Sequence, residues 1–116
     1  MNINGIVDDQ VDVTISALAD PTRRRVVEML RDEPLRASII ADRLGMTPAA
    51  TSRHLQVLRS SGLVDVGLHA DDARVRIYRL RPDHLVALGA WLDQVRAHWT
   101  EQLGSFKQHV EGGDRP

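Results

Sequence analysis

The chain has 116 residues, a net charge of −1, a mean hydropathy of −0.27 and no cysteine. That length is one domain, or one domain with a dimerising extension, and its modest core would gain from a shared interface. The missing cysteine excludes disulfides, thiolate metal sites, thiol redox sensing and cysteine nucleophiles. No apolar run nears the ~18 residues of a membrane span and no signal pattern opens the chain, which predicts a cytoplasmic protein without membrane contact.

Residues 1–8 read as a flexible N-terminus, and the folded domain as 9–110. Val7, Val11, Ile15 and Leu18 recur at helical spacing, so a first helix is expected over about 9–19. Asp20-Pro21 reads as a cap and first-turn proline, opening a second helix over about 21–31 that Pro34 ends.

The segment 37–61 is the most informative. It reads as a helix, a tight turn at Gly45 and a second helix capped by Thr47 with Pro48 in its first turn. Ala49, Ser52, Arg53 and Gln56 fall on one side of that second helix, Leu55 and Leu58 on the other. Short or donor-bearing side chains opposite an apolar anchor are what a helix needs to enter a major groove ~12 Å wide. Gly62 ends the helix, with Leu63 packing after it.

The period then changes from 3.6 to 2. Segments 64–68 and 75–80 flank Ala70-Asp71-Asp72-Ala73 as a two-stranded hairpin, or wing, with two alternation registers open. Pro82 starts a long last helix, to about 110. Its apolar residues Leu85, Leu88, Leu92, Val95, Trp99, Leu103, Phe106 and Val110 follow steps of 3 or 4. That near-heptad seam exceeds what one small domain must cover, and predicts a dimer interface helped by Val11, Ile15 and Leu18 of the first helix. Trp91 and Trp99 read as dimer core. Residues 111–116 read as a disordered tail. The fold class expected is mainly α with a small β-hairpin: a winged helix-turn-helix, homodimeric through its first and last helices.

Charge is unevenly spread. Residues 21–81 carry twelve arginines against seven acids, a net +5, while 1–20 carry −4 and 82–116 carry −2. A basic middle between acidic ends fits a double-stranded DNA face opposite a non-DNA face. Phosphate candidates are Arg36, Arg43 and Arg59, with Arg74 and Arg76 on the wing. Thr47, Ala49 and Ala50 at the helix start are candidates for phosphate or thymine-methyl contact, and Ser52, Arg53 and Gln56 for base reading. The Arg23-Arg24-Arg25 run faces several directions, and at least one of the three is expected to pair with a carboxylate inside the fold or across the dimer. No catalytic constellation stands out, since Ser52 and His54 at i and i+2 point apart, and there is no Gly-rich phosphate loop. Neither an enzyme nor a cofactor is expected.

The chain resembles the ArsR-type winged-helix repressors of bacteria and archaea. The resemblance rests on Ala17–Arg25, Leu44-Gly45-Met46, Ser52–Leu58, Gly62-Leu63-Val64 and Tyr78-Arg79-Leu80, and covers roughly residues 15–100. It implies a homodimer that binds an operator, blocks transcription and is often relieved by an effector; Ser52 and Arg53 match positions that the family uses to touch DNA.

Three departures stand out. Where thiolate sensors of the family carry cysteine, this chain has Ile39-Ile40-Ala41-Asp42. His98-Trp99-Thr100-Glu101 matches the second half of a last-helix metal site, but Leu85 and Ala87 replace the first half, which points to a non-metal branch. Family wings are basic, whereas this one carries Asp71-Asp72, which argues against deep insertion beside phosphates. A protein-interaction module and a metal-responsive repressor using His98 and Glu101 stay open as alternatives. Also open is whether control is constitutive or by a small-molecule effector, such as an apolar molecule in the last-helix seam.

Overall fold

The computed structural model describes the backbone of residues 3–113 and the side chains of 9–104. Five helices and three short strands follow in order: α1 (Ile3–Leu18), α2 (Pro21–Asp32), β1 (Leu35–Arg36), α3 (Ala37–Leu44), α4 (Pro48–Ser60), β2 (Val64–Leu68), β3 (Arg76–Leu80) and α5 (Asp83–Gly113).

Local chemistry fixes most boundaries. The Asp20 carboxylate accepts the Thr22 and Arg23 amides at 2.8 and 3.1 Å, capping α2. Thr47 Oγ1 accepts the Ala50 amide at 3.2 Å, capping α4. Both helices of the helix-turn-helix end in the same way. Gly45 (φ 65°) and Gly62 (φ 76°) take the left-handed conformation. The Gly45 and Met46 amides donate to the Asp42 and Ala41 carbonyls, and those of Gly62 and Leu63 to Arg59 and Leu58. Each is a Schellman stop that satisfies carbonyls the helix leaves open.

The three consecutive arginines also belong to helix ends. Arg23 Nε donates to Ala17 O at 2.6 Å and Arg24 to Leu18 O at 2.7 Å, sealing α1. Arg25 donates to Arg43 O at 3.3 Å at the end of α3. The expected carboxylate pair is Arg23 with Asp20 at 3.9 Å; among the described residues the other partners of the three are carbonyls.

The core joins Val26, Leu30, Leu35, Ile40, Leu44, Leu55, Leu58, Leu63 and Val64, closed from one side by Ala17. The sheet has three strands rather than two. Leu35 pairs with Tyr78 and Arg36 with Ile77, placing β3 between β1 and β2. Two residues cannot display an alternation, so β1 is invisible until its partner is known. In the wing Val64, Val66 and Leu68 stand opposite Leu80, Tyr78 and Arg76. Cross-strand partners share a face, so this set lies toward the core side and Asp65, Arg79 and Ile77 on the other.

Two terminal expectations change. α1 begins at Ile3 rather than near residue 9, continuing the four-residue step Ile3, Val7, Val11. α5 runs to Gly113, so 111–113 are helical, and 114–116 lie outside the described residues. α1 packs against α5, with Val11, Thr14 and Ala17 buried on α1. No described helix is long and apolar enough to cross a membrane.

Candidate nucleic-acid interface

α4 divides as its spacing predicts. Thr51, Leu55 and Leu58 are buried at 1% exposure or less and hold the helix to the core. Thr47, Ala49, Ser52, Arg53, Gln56 and Arg59 are exposed, and Ala50 is half-buried. The capping role of Thr47 is observed, and it holds the first turn of α4 open to the same side. His54 is half-buried, and the Asp20 carboxyl is held below its ordinary 3.8. The main cause of that lowering is the Arg23 amide, opposed by burial and reinforced by the Thr22 amide and the Arg23 charge.

Two clefts adjoin this helix. One lies between α3, α4 and β3, lined by Ala37, Ser38, Pro48, Ser52, Leu55 and Tyr78. The next shares Ala37 and Ser38 with it and continues toward the wing, where Arg36, Arg74, Val75 and Arg76 complete it. Together they form a furrow, hydroxyl-bearing and apolar at α4 and cationic at the wing. Arg76 also lines a hollow with Arg59, Val66, Gly67 and Leu68, so the last turn of α4 joins the same basic band. The structure therefore gathers Arg36, Arg59, Arg74 and Arg76 around the exposed side of α4.

Arg43 stands apart. It reaches Glu33 at 3.6 Å and lines a surface hollow with Arg25, Glu28, Arg31 and Asp32 of α2. Ser38, which the sequence did not single out, lies at the junction of both clefts; its position became readable only once β1 and β3 fixed the start of α3.

The wing tip is a closed turn. The Val75 amide donates to the Asp72 carbonyl at 3.0 Å and the His69 amide to the Val75 carbonyl at 2.9 Å. Asp72 Oδ1 accepts the Arg74 amide at 3.0 Å and its Nε at 3.3 Å. These two bonds, opposed by some burial and reinforced by the nearby Arg36 charge, keep the Asp72 carboxyl below its ordinary value.

The terminal helices offer an apolar surface. Ile15, Leu92, Val95, Trp99 and Leu103 are 45–63% exposed in the single chain, joined by Val13 and Trp91. The other expected interface residues lie deeper. Val11 is 3% exposed, because α1 packs that side against α5 of its own chain. Leu18, Leu85 and Leu88 are half-buried, and Leu18 and Leu85 pack on the core. Phe106 lies outside the described side chains. His98 and Glu101 are exposed one turn apart, and no group of three or more potential metal ligands gathers among the described residues.

Comparison with known proteins identifies this arrangement. Residues 18–67 match a family described as a helix-turn-helix domain. The HTH-type transcriptional regulator Rv2034 of Mycobacterium tuberculosis is 38% identical over 100 residues, covering 84% of this chain and 88% of its own. An ArsR-like transcriptional regulator from Rhodococcus superposes with a TM-score of 0.71 at 28% identity, covering 85% of this chain and 91% of that one. A structure described as a homodimeric winged helix-turn-helix DNA-binding domain from Mycobacterium bovis gives 0.63 at 26% identity, covering 100% and 95%. With a helix-turn-helix, a three-stranded wing sheet and relatives of this kind over most of its length, the chain belongs to the ArsR-type winged helix-turn-helix transcriptional regulators.

Proposed function

We propose that the protein is a homodimeric repressor that binds a palindromic operator. The observation that carries this reading is α4 itself: Ser52, Arg53 and Gln56 stand exposed beside a basic band, while three buried residues fix the helix that bears them. Arg53 reads guanine through its paired O6 and N7 acceptors, and Ser52 and Gln56 complete sequence choice. Thr47, Ala49 and Ala50 allow close approach of the helix start to the strand. Arg36, Arg59, Arg74 and Arg76 contact phosphates and make affinity salt-dependent. Arg43, tied to Glu33, contributes little.

The dimer forms through Ile15 of α1 and Leu92, Val95, Trp99 and Leu103 of α5, with the deeper Val11, Leu18, Leu85 and Leu88 supporting them. The exposed apolar stripe supports this, as does the homodimer described for the Mycobacterium bovis protein. Two-fold symmetry then places two α4 helices in successive major grooves, about 10 bp apart.

The test is selection of bound sequences from a random duplex library at two salt concentrations, followed by Arg53→Ala. A palindrome with half-sites one turn apart is expected, and the variant should lose about 5- to 150-fold on it, the equivalent of ~1–3 kcal/mol, while remaining dimeric. Failure to enrich any sequence would refute the reading in favour of a protein-interaction module.

A further inference from the structure

Asp71 and Asp72 are adjacent in sequence but differ in what they touch. The Asp71 carboxylate is exposed, and among the described residues only its backbone amide is engaged, donating to His69 Nδ1 at 3.0 Å. Asp72 is half-buried and grips Arg74 twice through one oxygen, with the Arg36 charge close enough to favour its ionised form. Arg36, Arg74 and Arg76 line one cleft at the first turn of α3. Among the described residues neither Arg36 nor Arg76 lies within ion-pair distance of a carboxylate. Arg36 occupies the cap position of α3, and its guanidinium, which only donates, leaves the leading amides of that helix uncapped by its side chain.

From this geometry we infer that the Arg36–Arg74–Arg76 cleft is a backbone-phosphate site and that Asp72 is its built-in competitor. The inference rests on the DNA-binding reading above. A carboxylate and a phosphate oxygen ask the same thing of a guanidinium, namely a short, charge-assisted N–H···O bond. With Asp72 in place, a phosphate entering the cleft must displace it from Arg74 or sit beside its charge. The cost falls on every duplex regardless of sequence, because phosphates are the same everywhere. Asp72 therefore weakens the sequence-independent part of binding and leaves recognition to α4. This is the role that an acidic residue can serve in an otherwise basic wing.

Asp72→Asn tests this well, since the amide oxygen still accepts the Arg74 amide and keeps the turn while the charge is lost. Asp71→Asn changes net charge equally without touching the arginines. Binding of each variant to a duplex of random sequence is measured across a salt series. Asp72→Asn should bind about fivefold more tightly, as expected for removing one charge ~4 Å from a phosphate in water, with a salt slope steeper by about 0.9. Asp71→Asn should change affinity less than twofold. In an Arg74→Ala background the effect of Asp72→Asn should shrink by more than half. Equal effects of the two Asn variants would overturn the inference, leaving only net charge. Weaker binding by Asp72→Asn would also overturn it, making the residue a turn scaffold alone. Wild-type protein that binds no duplex at all would instead refute the DNA reading and this inference with it.

Discussion

The imidazole of His84 lies against Gly62 and joins the end of α4 to the start of α5. Its Nδ1 is 2.7 Å from the Ser61 carbonyl, so that nitrogen must carry the proton and donate it to the last turn of α4. A Cβ on Gly62 would sit 2.6 Å from Cε1 and 3.0 Å from Nδ1 of this ring, at φ +76°. A Cβ on Gly45 would meet nothing within 4 Å, at φ +65°. The two glycines thus share the backbone cost of alanine and differ only in the histidine. The left-handed conformation costs each alanine about 1–2 kcal/mol. At Gly62 the ring must also swing away, losing a hydrogen bond worth roughly 0.5–1.5 kcal/mol and repacking at about 1 kcal/mol or more. Gly62→Ala should therefore cost ~2–3 kcal/mol more than Gly45→Ala, roughly 8–12 °C in Tm for a domain of this size. Thermal unfolding at one fixed protein concentration measures both, since association shifts Tm. In a His84→Ala background the excess should disappear, the non-additivity expected of groups in contact. Equal losses for the two glycines, or an excess that survives His84→Ala, would refute the proposed contact between Gly62 and His84.

Three further outcomes follow from other parts of the molecule. Among the described residues Thr51 Oγ1 is buried without a hydrogen-bond partner, a situation that costs ~1–3 kcal/mol, so Thr51→Val should leave Tm unchanged or raise it; a fall of several degrees would show the hydroxyl to be bonded. Trp99 is 63% exposed in the single chain, so a dimer that covers it gains roughly 1.5–3 kcal/mol per protomer, and Trp99→Ala should raise the dimer dissociation constant roughly 100- to 10,000-fold by sedimentation equilibrium. The Asp20 carboxyl is lowered by the amides it caps, so its stabilising effect is complete above its ordinary 3.8 and lost as pH falls through its folded value; Asp20→Asn, which keeps a cap, should flatten the decline of Tm below pH 4.

The helix-turn-helix was legible because its boundaries are set by single residues whose chemistry is local. Asp20-Pro21 and Thr47-Pro48 start helices and Gly45 and Gly62 stop them wherever they stand, so α2, α3 and α4 could be placed within a residue or two. What was not legible depends on partners distant in sequence. β1 exists only as a partner of Tyr78 and Ile77. The wing register depended on which alternation meets the core, and both alternations carry apolar residues. Thr14 is fully buried although polar, because its hydroxyl bonds the Gln10 carbonyl at 2.7 Å and leaves a small, methyl-bearing face for packing. Ile15, one position on, is exposed for the same rotational reason, which a stripe drawn through apolar residues alone cannot register. Arg43 looked like its neighbours in charge and separates from them only when Glu33 is folded against it.

The arginines show how a net charge can mislead in both directions. The whole chain carries −1, and residues 21–81 carry +5, yet neither number is the charge a partner meets. Arg23, Arg24 and Arg25 donate to carbonyls at the ends of α1 and α3, where a fixed planar fork can reach several acceptors from one position. Arg31, Arg43, Arg79 and Arg81 lie within 4 Å of carboxylates. Those left facing outward beside α4 are Arg36, Arg53, Arg59 and Arg76, with Arg74 shared by Asp72. Helix capping removes arginine from the exposed face without removing charge from the count, and ion pairing removes it without altering composition. The field available to an anionic ligand is therefore set by which arginines the fold leaves without an internal acceptor, and among the described residues these are Arg53 and Arg59 on α4 with Arg36 and Arg76 on the neighbouring strands.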